Sequence, residues 1–391
     1  MNPDKRLFDV LFISVFAAML GLGIVVPLLP IYAENLGASG LWIGMIFSGF
    51  AVARAIFMPI VGRLSDESGR KKFIVTGLLA YALLSLGYVE AGSVYTLTAV
   101  RFLHGIASAM VVPIAMAYIG DLSKRGEEGT YMAKFQVSFF LGLGSGPLLG
   151  GVLNDTFGFS SAFYAMAGLS TLSLLVIVIF LPETEGQSSS KKKERANLRD
   201  VFGQPAVLAV IAFTALNSIS RGVILVFMPL FAPGISVTPG RVGLILTVSI
   251  FLMAIFQVPL GKMADRGNAA KMILAGSLAS AGSLALIPKS GSFLDLFLVA
   301  SANGLGSAVM MPALMALTVK IGKKIGMGTS MGAYNTAMSL GMITAPLLGG
   351  VAMDNLSIDA VFFLGGTIGV GTAAVAYILM RRPLKSIEAE G

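Results

Sequence analysis

Along the chain, apolar residues fall into twelve long runs, at about 8–33, 41–63, 72–91, 94–120, 130–153, 160–181, 205–231, 240–261, 270–288, 293–318, 327–352 and 359–380. A helix of that length crosses a hydrocarbon layer of about 30 Å. Within most runs the polar residues do not recur along one face, as they do on a helix packed against a core in water. The pattern therefore predicts an all-α integral membrane protein with twelve transmembrane helices. A cleavable leader would be followed by a soluble chain, so the first run reads as a retained span.

The punctuation of these runs repeats at a constant offset of 199 residues, without a gap. Pro30 recurs as Pro229, Gly44 as Gly243, Gly62 and Asp66 as Gly261 and Asp265, Gly105 as Gly304, Ser108 as Ser307 and Pro113 as Pro312. The stretch Pro147-Leu148-Leu149-Gly150-Gly151-Val152 returns as Pro346-Leu347-Leu348-Gly349-Gly350-Val351. Glycine and proline mark where helices touch or bend, so repeating them repeats a fold. The expected organisation is two six-helix bundles, 1–182 and 205–391, the second ending in a short tail. A polar, Ser- and Lys-rich linker at 183–204 joins them. Such parallel repeats are related by an axis along the membrane normal and rock about a substrate cavity between them, as in transporters.

Composition agrees: 55% of residues are apolar and 12% charged, against about 25% charged in soluble domains. Most of the 28 lysines and arginines lie in loops on one side, and only Arg241 and Lys289 lie on the other. Basic loops stay cytoplasmic, which predicts a multi-pass protein of the plasma (inner) membrane with both termini in the cytoplasm. The net charge of +8 is then a topology signal, and no basic soluble domain exists to bind nucleic acid. With no cysteine and a single histidine, disulfides are excluded and the ligands for a zinc or haem centre are too few, so neither metal nor cofactor is expected. No phosphate-binding Gly-x-x-x-x-Gly-Lys-[Ser/Thr] loop occurs, and no nucleophile–base constellation suggests an enzyme.

The loop Gly62-Arg63-Leu64-Ser65-Asp66-Glu67-Ser68-Gly69-Arg70-Lys71-Lys72 is the most specific local motif. Gly62 would let helices approach, Asp66 would cap a neighbouring helix N-terminus, Gly69 would allow a sharp turn, and Arg70 would pair with Asp66. In the second copy Gly69 and Arg70 become Asn268 and Ala269. Two further motifs stand out: Arg101-Phe102-Leu103-His104-Gly105 in the fourth run and Gly142-Leu143-Gly144-Ser145-Gly146-Pro147-Leu148-Leu149-Gly150-Gly151 in the fifth. Small residues there suit close helix packing, and Pro147 weakens the helix where bending is needed. The loop resembles the signature of the major facilitator superfamily. The other two motifs, with Gly21-Leu22-Gly23, Pro27 and Pro30, resemble those of its twelve-span, proton-linked drug exporters. The resemblance implies gating through Gly62, Asp66, Gly69, Arg70, Lys71 and Asp121, a hinge at Gly146, Pro147, Gly150, Gly151 and Pro346, and a part for Arg101 in proton transfer or in holding its helix.

Three arginines, Arg54, Arg101 and Arg221, lie in mid-span, whereas the acidic residues mark span ends or loops. Many exporters of cationic drugs carry a buried carboxylate, and this chain departs from that pattern. Each buried charge costs roughly 2.5–3.5 kcal/mol to insert, so a function is expected of it. Arg54 and Arg221 would favour anionic or polyhydroxylated groups; helix carbonyls are the alternative partners. Asn217 shares a face with Arg221. Gln136 and Asn335 occupy equivalent positions in the two halves, and Tyr334 precedes the second. The expected substrate cavity is therefore Arg54, Gln136, Asn217, Arg221, Tyr334 and Asn335, with interhelical hydrogen bonding as the other reading of the neutral groups. His104 takes and loses a proton near neutral pH, so proton coupling is assigned to Arg101, His104 and Glu34, although Asn303 at the position equivalent to His104 fits a plain hydrogen-bonding role. The expected function is secondary transport of small organic molecules, anionic or amphipathic, by proton-coupled efflux. An organic-anion importer or exchanger is the alternative. The partners expected are the substrate, protons and the bilayer, with the protein a monomer.

Overall fold

In the computed structural model, which describes residues 3–123, 128–183, 205–264, 266, 269–325 and 327–388, each apolar run is helical. The linker beyond Glu183, and Asp265 and Asn268 of the second loop copy, lie outside the described residues. Eleven helices among the described residues are long and apolar enough to cross a membrane, and the apolar part of the last, Ile358–Ala374, is shorter. The run expected as one first span is two helices, α1 (Pro3–Val25) and α2 (Leu29–Asn35). Pro27 between them has no N–H to donate and crowds the carbonyl four residues back, so the helix breaks and restarts.

The next helices begin and end on local signals. Ser39 caps α3 (Gly40–Ser68) by accepting from the Trp42 amide at 3.4 Å. Gly69 ends α3 at φ +91°, a left-handed conformation that glycine takes without strain. Then follows α4 (Lys71–Val89). Ser93 and Thr96 form a reciprocal capping box at the start of α5 (Val94–Leu122), with bonds of 3.2 and 3.1 Å. The first half continues with α6 (Glu128–Phe157) and α7 (Phe159–Phe180). The second has α8 (Pro205–Phe231), α9 (Pro239–Met263), α10 (Ala269–Leu286), α11 (Phe293–Ile325), α12 (Met327–Asn355) and α13 (Ile358–Glu388).

The chain forms two compact units, one of Met1–Lys191 with Thr238–Thr247 and one of Lys192–Val237 with Val248–Gly391. The first residues of α9 thus cluster with the first unit. Within that unit α1 packs along α6 and α7, α3 on α5, and α4 on α5 and α7. Within the second, α8 packs along α12 and α13, and α10 on α11 and α13. The shared pairing is the structural form of the sequence repeat.

The α1–α6 seam explains the glycines of the fifth run. A Cβ on Gly142 would run into the Phe16 carbonyl, on Gly146 into the backbone of Gly23, and on Gly150 into the Ile24 carbonyl. Backbones in such contact gain dispersion energy that lipid chains cannot offer. Gly151 faces Pro239 and Gly240 at the start of α9, and Gly243 lies on the Pro147 carbonyl. One residue past Pro147, the Leu148 amide donates to the Thr247 hydroxyl at 3.2 Å. The second copy is looser: Gly341 meets Ala215 and Ser218 of α8, but Gly349 meets the Phe227 ring, and Gly222 faces Ala345 and Pro346. Gly62 departs from expectation, because nothing stands within 4 Å of where its Cβ would lie. It makes no close helix contact here.

Polarity runs opposite to that of a soluble protein. Leu83, Leu172, Ile255, Leu298 and Ile368 are exposed, while Ser14, Ser138, Ser173 and Ser277 are buried. The buried hydroxyls cross-link helices: Ser138 donates to the Phe12 carbonyl at 2.6 Å and Ser173 to the Ser14 carbonyl at 3.1 Å. Polar groups in hydrocarbon must find partners inside the protein.

Gly146→Val is expected to cost about 3 kcal/mol or more, because neither backbone at the seam can retreat. Gly168→Val, with nothing within 4 Å of its Cβ position, is the control. Thermal unfolding of both variants in detergent checks this: a large fall is expected for the first and almost none for the second.

Candidate functional site

Two close helix contacts assemble a buried cluster in the first unit. A Cβ on Gly105 would meet the Phe50 carbonyl and Ala53, so α5 lies directly against α3. A Cβ on Gly77 would meet Met110 and Val111, which brings α4 against α5. One turn before Gly105, Arg101 is 3% exposed and His104 is fully buried. The Arg101 guanidinium carbon lies 4.2 Å from the Phe50 ring centre and 5.3 Å from that of Phe47. Ring faces attract a cation, with about 2 kcal/mol when it is desolvated.

His104 is boxed edge-on by Tyr81 at 4.5 Å, Phe50 at 5.6 Å and Tyr88 at 5.8 Å between ring centres. Its Nδ1 is 2.9 Å from the Tyr88 hydroxyl, which Arg101 also approaches. A guanidinium has only donors, so the Tyr88 proton is left for Nδ1; this assigns the neutral ring's own proton to Nε2. Tyr88 is itself held by stacking on Phe163, at 5.3 Å between ring centres. No described protein group bonds Arg101 Nε, Arg101 Nη1 or His104 Nε2, all of them buried. The structure places Arg101 and His104 together in this cluster. It leaves Glu34 exposed on α2, outside the cluster.

The other mid-span arginines are half-buried. Arg54 follows Phe47 and Phe50 on one face of α3 and interacts with Tyr81, while Arg221 interacts with Tyr334. Neither makes a hydrogen bond or ion pair among the described residues. Two expected cavity residues are placed differently. Asn217 is buried and donates to the Ser307 hydroxyl at 3.2 Å, a bond that ties α8 to α11. Tyr334 belongs to the apolar core of the second unit. Asn217 therefore bonds within the bundle, and Tyr334, which precedes Asn335, lies in the core while still interacting with Arg221. Gln136 on α6 and Asn335 on α12 are exposed.

At the loop after α3, Arg70 pairs with Asp66 at 2.9 Å. It also forks onto Asp121 at the end of α5, through Nε–Oδ2 and through Nη2–Oδ1 at 3.3 Å. Lys71 donates its ammonium to the Val178 carbonyl at 2.9 Å. The cap of the next helix, α4, comes from Glu183 rather than Asp66: its carboxylate accepts from the Lys71 and Lys72 amides at 2.8 and 3.2 Å. Asp155 does the same for α9, accepting from the Gly240 amide at 3.0 Å within the first unit. Sequence reasoning missed Glu183, Asp155, Tyr81 and Tyr88. For the tyrosines a signal existed, since Tyr81, Ser85 and Tyr88 form a polar stripe on an otherwise apolar helix.

Long apolar helices in two like-folded units, with charged groups buried inside, define a polytopic membrane transporter. The sequence pattern of the Major Facilitator Superfamily matches residues 11–232 and 212–390, and the chain belongs to that family. It is 29% identical over 385 residues to the uncharacterised MFS-type transporter MJ1560 of Methanocaldococcus jannaschii, covering 97% of this chain and 99% of that one. It is 28% identical over 388 residues to multidrug resistance protein 2 of Bacillus subtilis, covering 96% of each. In fold it is similar to a bacterial homologue of the human lysosomal transporter Spinster, solved inward-facing and unoccupied, with a TM-score of 0.82, 14% identity and coverage of 99% and 98%. The protein is therefore a multi-pass membrane protein of a family of secondary transporters, and not an enzyme.

Asn217→Leu is expected to lower thermal stability by about 1–3 kcal/mol, because it leaves the Ser307 hydroxyl without its partner. The KM of any transported substrate should stay within about twofold of wild type. A large KM change with unaltered stability would return Asn217 to the substrate path.

Proposed function

We propose that this transporter exports small amphipathic organic molecules by alternating access, driven by proton entry, from a plasma membrane in which both termini face the cytoplasm. The observation that carries proton coupling is the buried pairing of His104 with Tyr88 beside Arg101. It sets an imidazole, which can accept and release a proton, within a chain of hydrogen-bonding side chains. Glu34, exposed on α2, is the second candidate for carrying the proton. Relatives named for multidrug resistance support the outward direction, and the distribution of basic loops supports the orientation.

In this reading the bundles at 1–182 and 205–391 move as bodies about the linker 183–204, and the protein works as a monomer. The ion pairs of Arg70 with Asp66 and Asp121, together with Gly62, Gly69 and Lys71, act as a latch. Half-exposed pairs of this kind contribute about 1 kcal/mol each, weak enough to break in every cycle. Gly146, Pro147, Gly150, Gly151 and Pro346 form the hinge segments. Arg54, Arg221, Gln136 and Asn335 contribute to substrate binding.

A second reading, exchange or import of organic anions, is favoured by one observation: Arg54 and Arg221 are half-buried cations without a hydrogen bond or ion pair among the described residues. Guanidinium binds carboxylate or phosphate in a bidentate manner.

Proteoliposomes with an imposed pH gradient test the two together. Proton-coupled export predicts substrate-dependent proton movement with cationic dyes, and Arg54→Gln and Arg221→Gln should raise KM without abolishing it. The anion reading predicts flux of organic anions that falls at least tenfold in both variants. Substrate flux without any proton movement would remove the antiport proposal.

A further inference from the structure

The cluster around Arg101 has buried donors that no described protein group receives. Arg101 and His104 lie three residues apart on α5, both touch the Phe50 ring, and both reach the Tyr88 hydroxyl. Nε and Nη1 of Arg101 and Nε2 of His104, carried by these two neighbouring side chains, are buried, and no described protein group bonds them. The Tyr81 hydroxyl on the other side of the imidazole looks toward Ser108 without meeting it in hydrogen-bond geometry. No carboxylate answers the charge, since the ion pairs among the described residues join Arg63 to Glu67 and Arg70 to Asp66 and Asp121.

The second unit shows how the same place looks when it is satisfied by protein alone. Asn303 stands at the repeat position of His104, Ser280 at that of Tyr81, Ala300 at that of Arg101 and Ile287 at that of Tyr88. There the Asn303 amide nitrogen is within 3.0 Å of the Ser220 and Ser280 hydroxyls and 2.9 Å from the Ser280 carbonyl. That network is neutral and its donors are met. The first unit keeps the architecture but substitutes a cation and unmet donors.

We infer that the first unit binds a small inorganic anion of about the size of chloride, held by Arg101 Nε and Nη1 and His104 Nε2 beside Tyr81. Water is a poorer occupant: it would accept from these donors but bring two hydrogens of its own and no charge to balance Arg101, with the Tyr81 hydroxyl as the free acceptor beside it. An anion meets the donors and balances a charge that is costly to bury alone. Complete burial of His104, Tyr81 and Tyr88 limits the ligand to a few atoms, which separates this site from substrate recognition. The inference does not depend on whether His104 carries a transported proton.

The test uses the purified full chain in lipid nanodiscs without organic substrate, with sodium chloride exchanged for sodium gluconate at constant ionic strength. The expected result is a saturable rise in Tm of a few degrees with chloride. It should be lost in Arg101→Gln and weakened in His104→Asn, a change that places in the first unit the residue the second unit already uses. Asn303→Ala, in the second unit, should keep the full response. Absence of a chloride-dependent rise in the wild type would overturn the inference. So would an equal rise in wild type and His104→Asn, a result that needs no folded Arg101 variant.

Discussion

A polar group inside a hydrocarbon layer has only the protein to bond to, and most of this architecture follows from that constraint. Backbones are folded into helices because a helix meets its own hydrogen bonds. Serine hydroxyls turn inward to carbonyls on neighbouring helices, and leucines and isoleucines turn outward. Because lipid chains are as apolar as leucine, hydrophobicity cannot press the helices together. Contact area must do so, which is why glycines sit where α1 meets α6 and where α3 meets α5. The close α3–α5 approach at Gly105 in turn places Arg101 on the Phe50 ring and His104 between two tyrosines. The packing device and the chemical site are thus the same few residues.

The repeat gives the molecule its own internal comparison. Most of the helix pairs of the first unit recur in the second, and Ser108 and Ser307 occupy equivalent positions of the repeat. Where the copies agree, the residues mostly hold the fold. Where they disagree, one copy holds a cost that the other avoids. At the repeat positions of the second unit, Arg101 is replaced by an alanine, His104 by an asparagine and Tyr81 by a serine. A buried guanidinium resting on aromatic faces has no stabilising advantage over the neutral network around Asn303, so its retention calls for a functional cause. The looser seam at Gly349, where a Phe227 ring replaces backbone contact, is a second such asymmetry.

Much of this was legible along the chain. Span length, loop charge and the glycine–proline repeat are properties of consecutive residues, and they indicated the helices and their pairing. Two kinds of feature were not legible. The break at Pro27 divides the first span into α1 and α2 while leaving it one span, because a run of apolar residues does not reveal a local loss of hydrogen bonds. Partners contributed by distant helices were also hidden. Asn217 shares a helical face with Arg221, yet it turns to Ser307, 90 positions away. Glu183 caps α4 from beyond α7. Spacing tells which residues lie side by side on one helix, not which neighbour that side meets.

The central claim is that the first unit's basic cluster couples transport to protons while its counterpart in the second unit holds structure. The most direct measurement is the ratio of protons to substrate moved in proteoliposomes by His104→Asn and Asn303→Ala. The account predicts that His104→Asn folds and binds substrate but loses proton movement, whereas Asn303→Ala is less stable and keeps the wild-type ratio. A wild-type ratio in His104→Asn would contradict it.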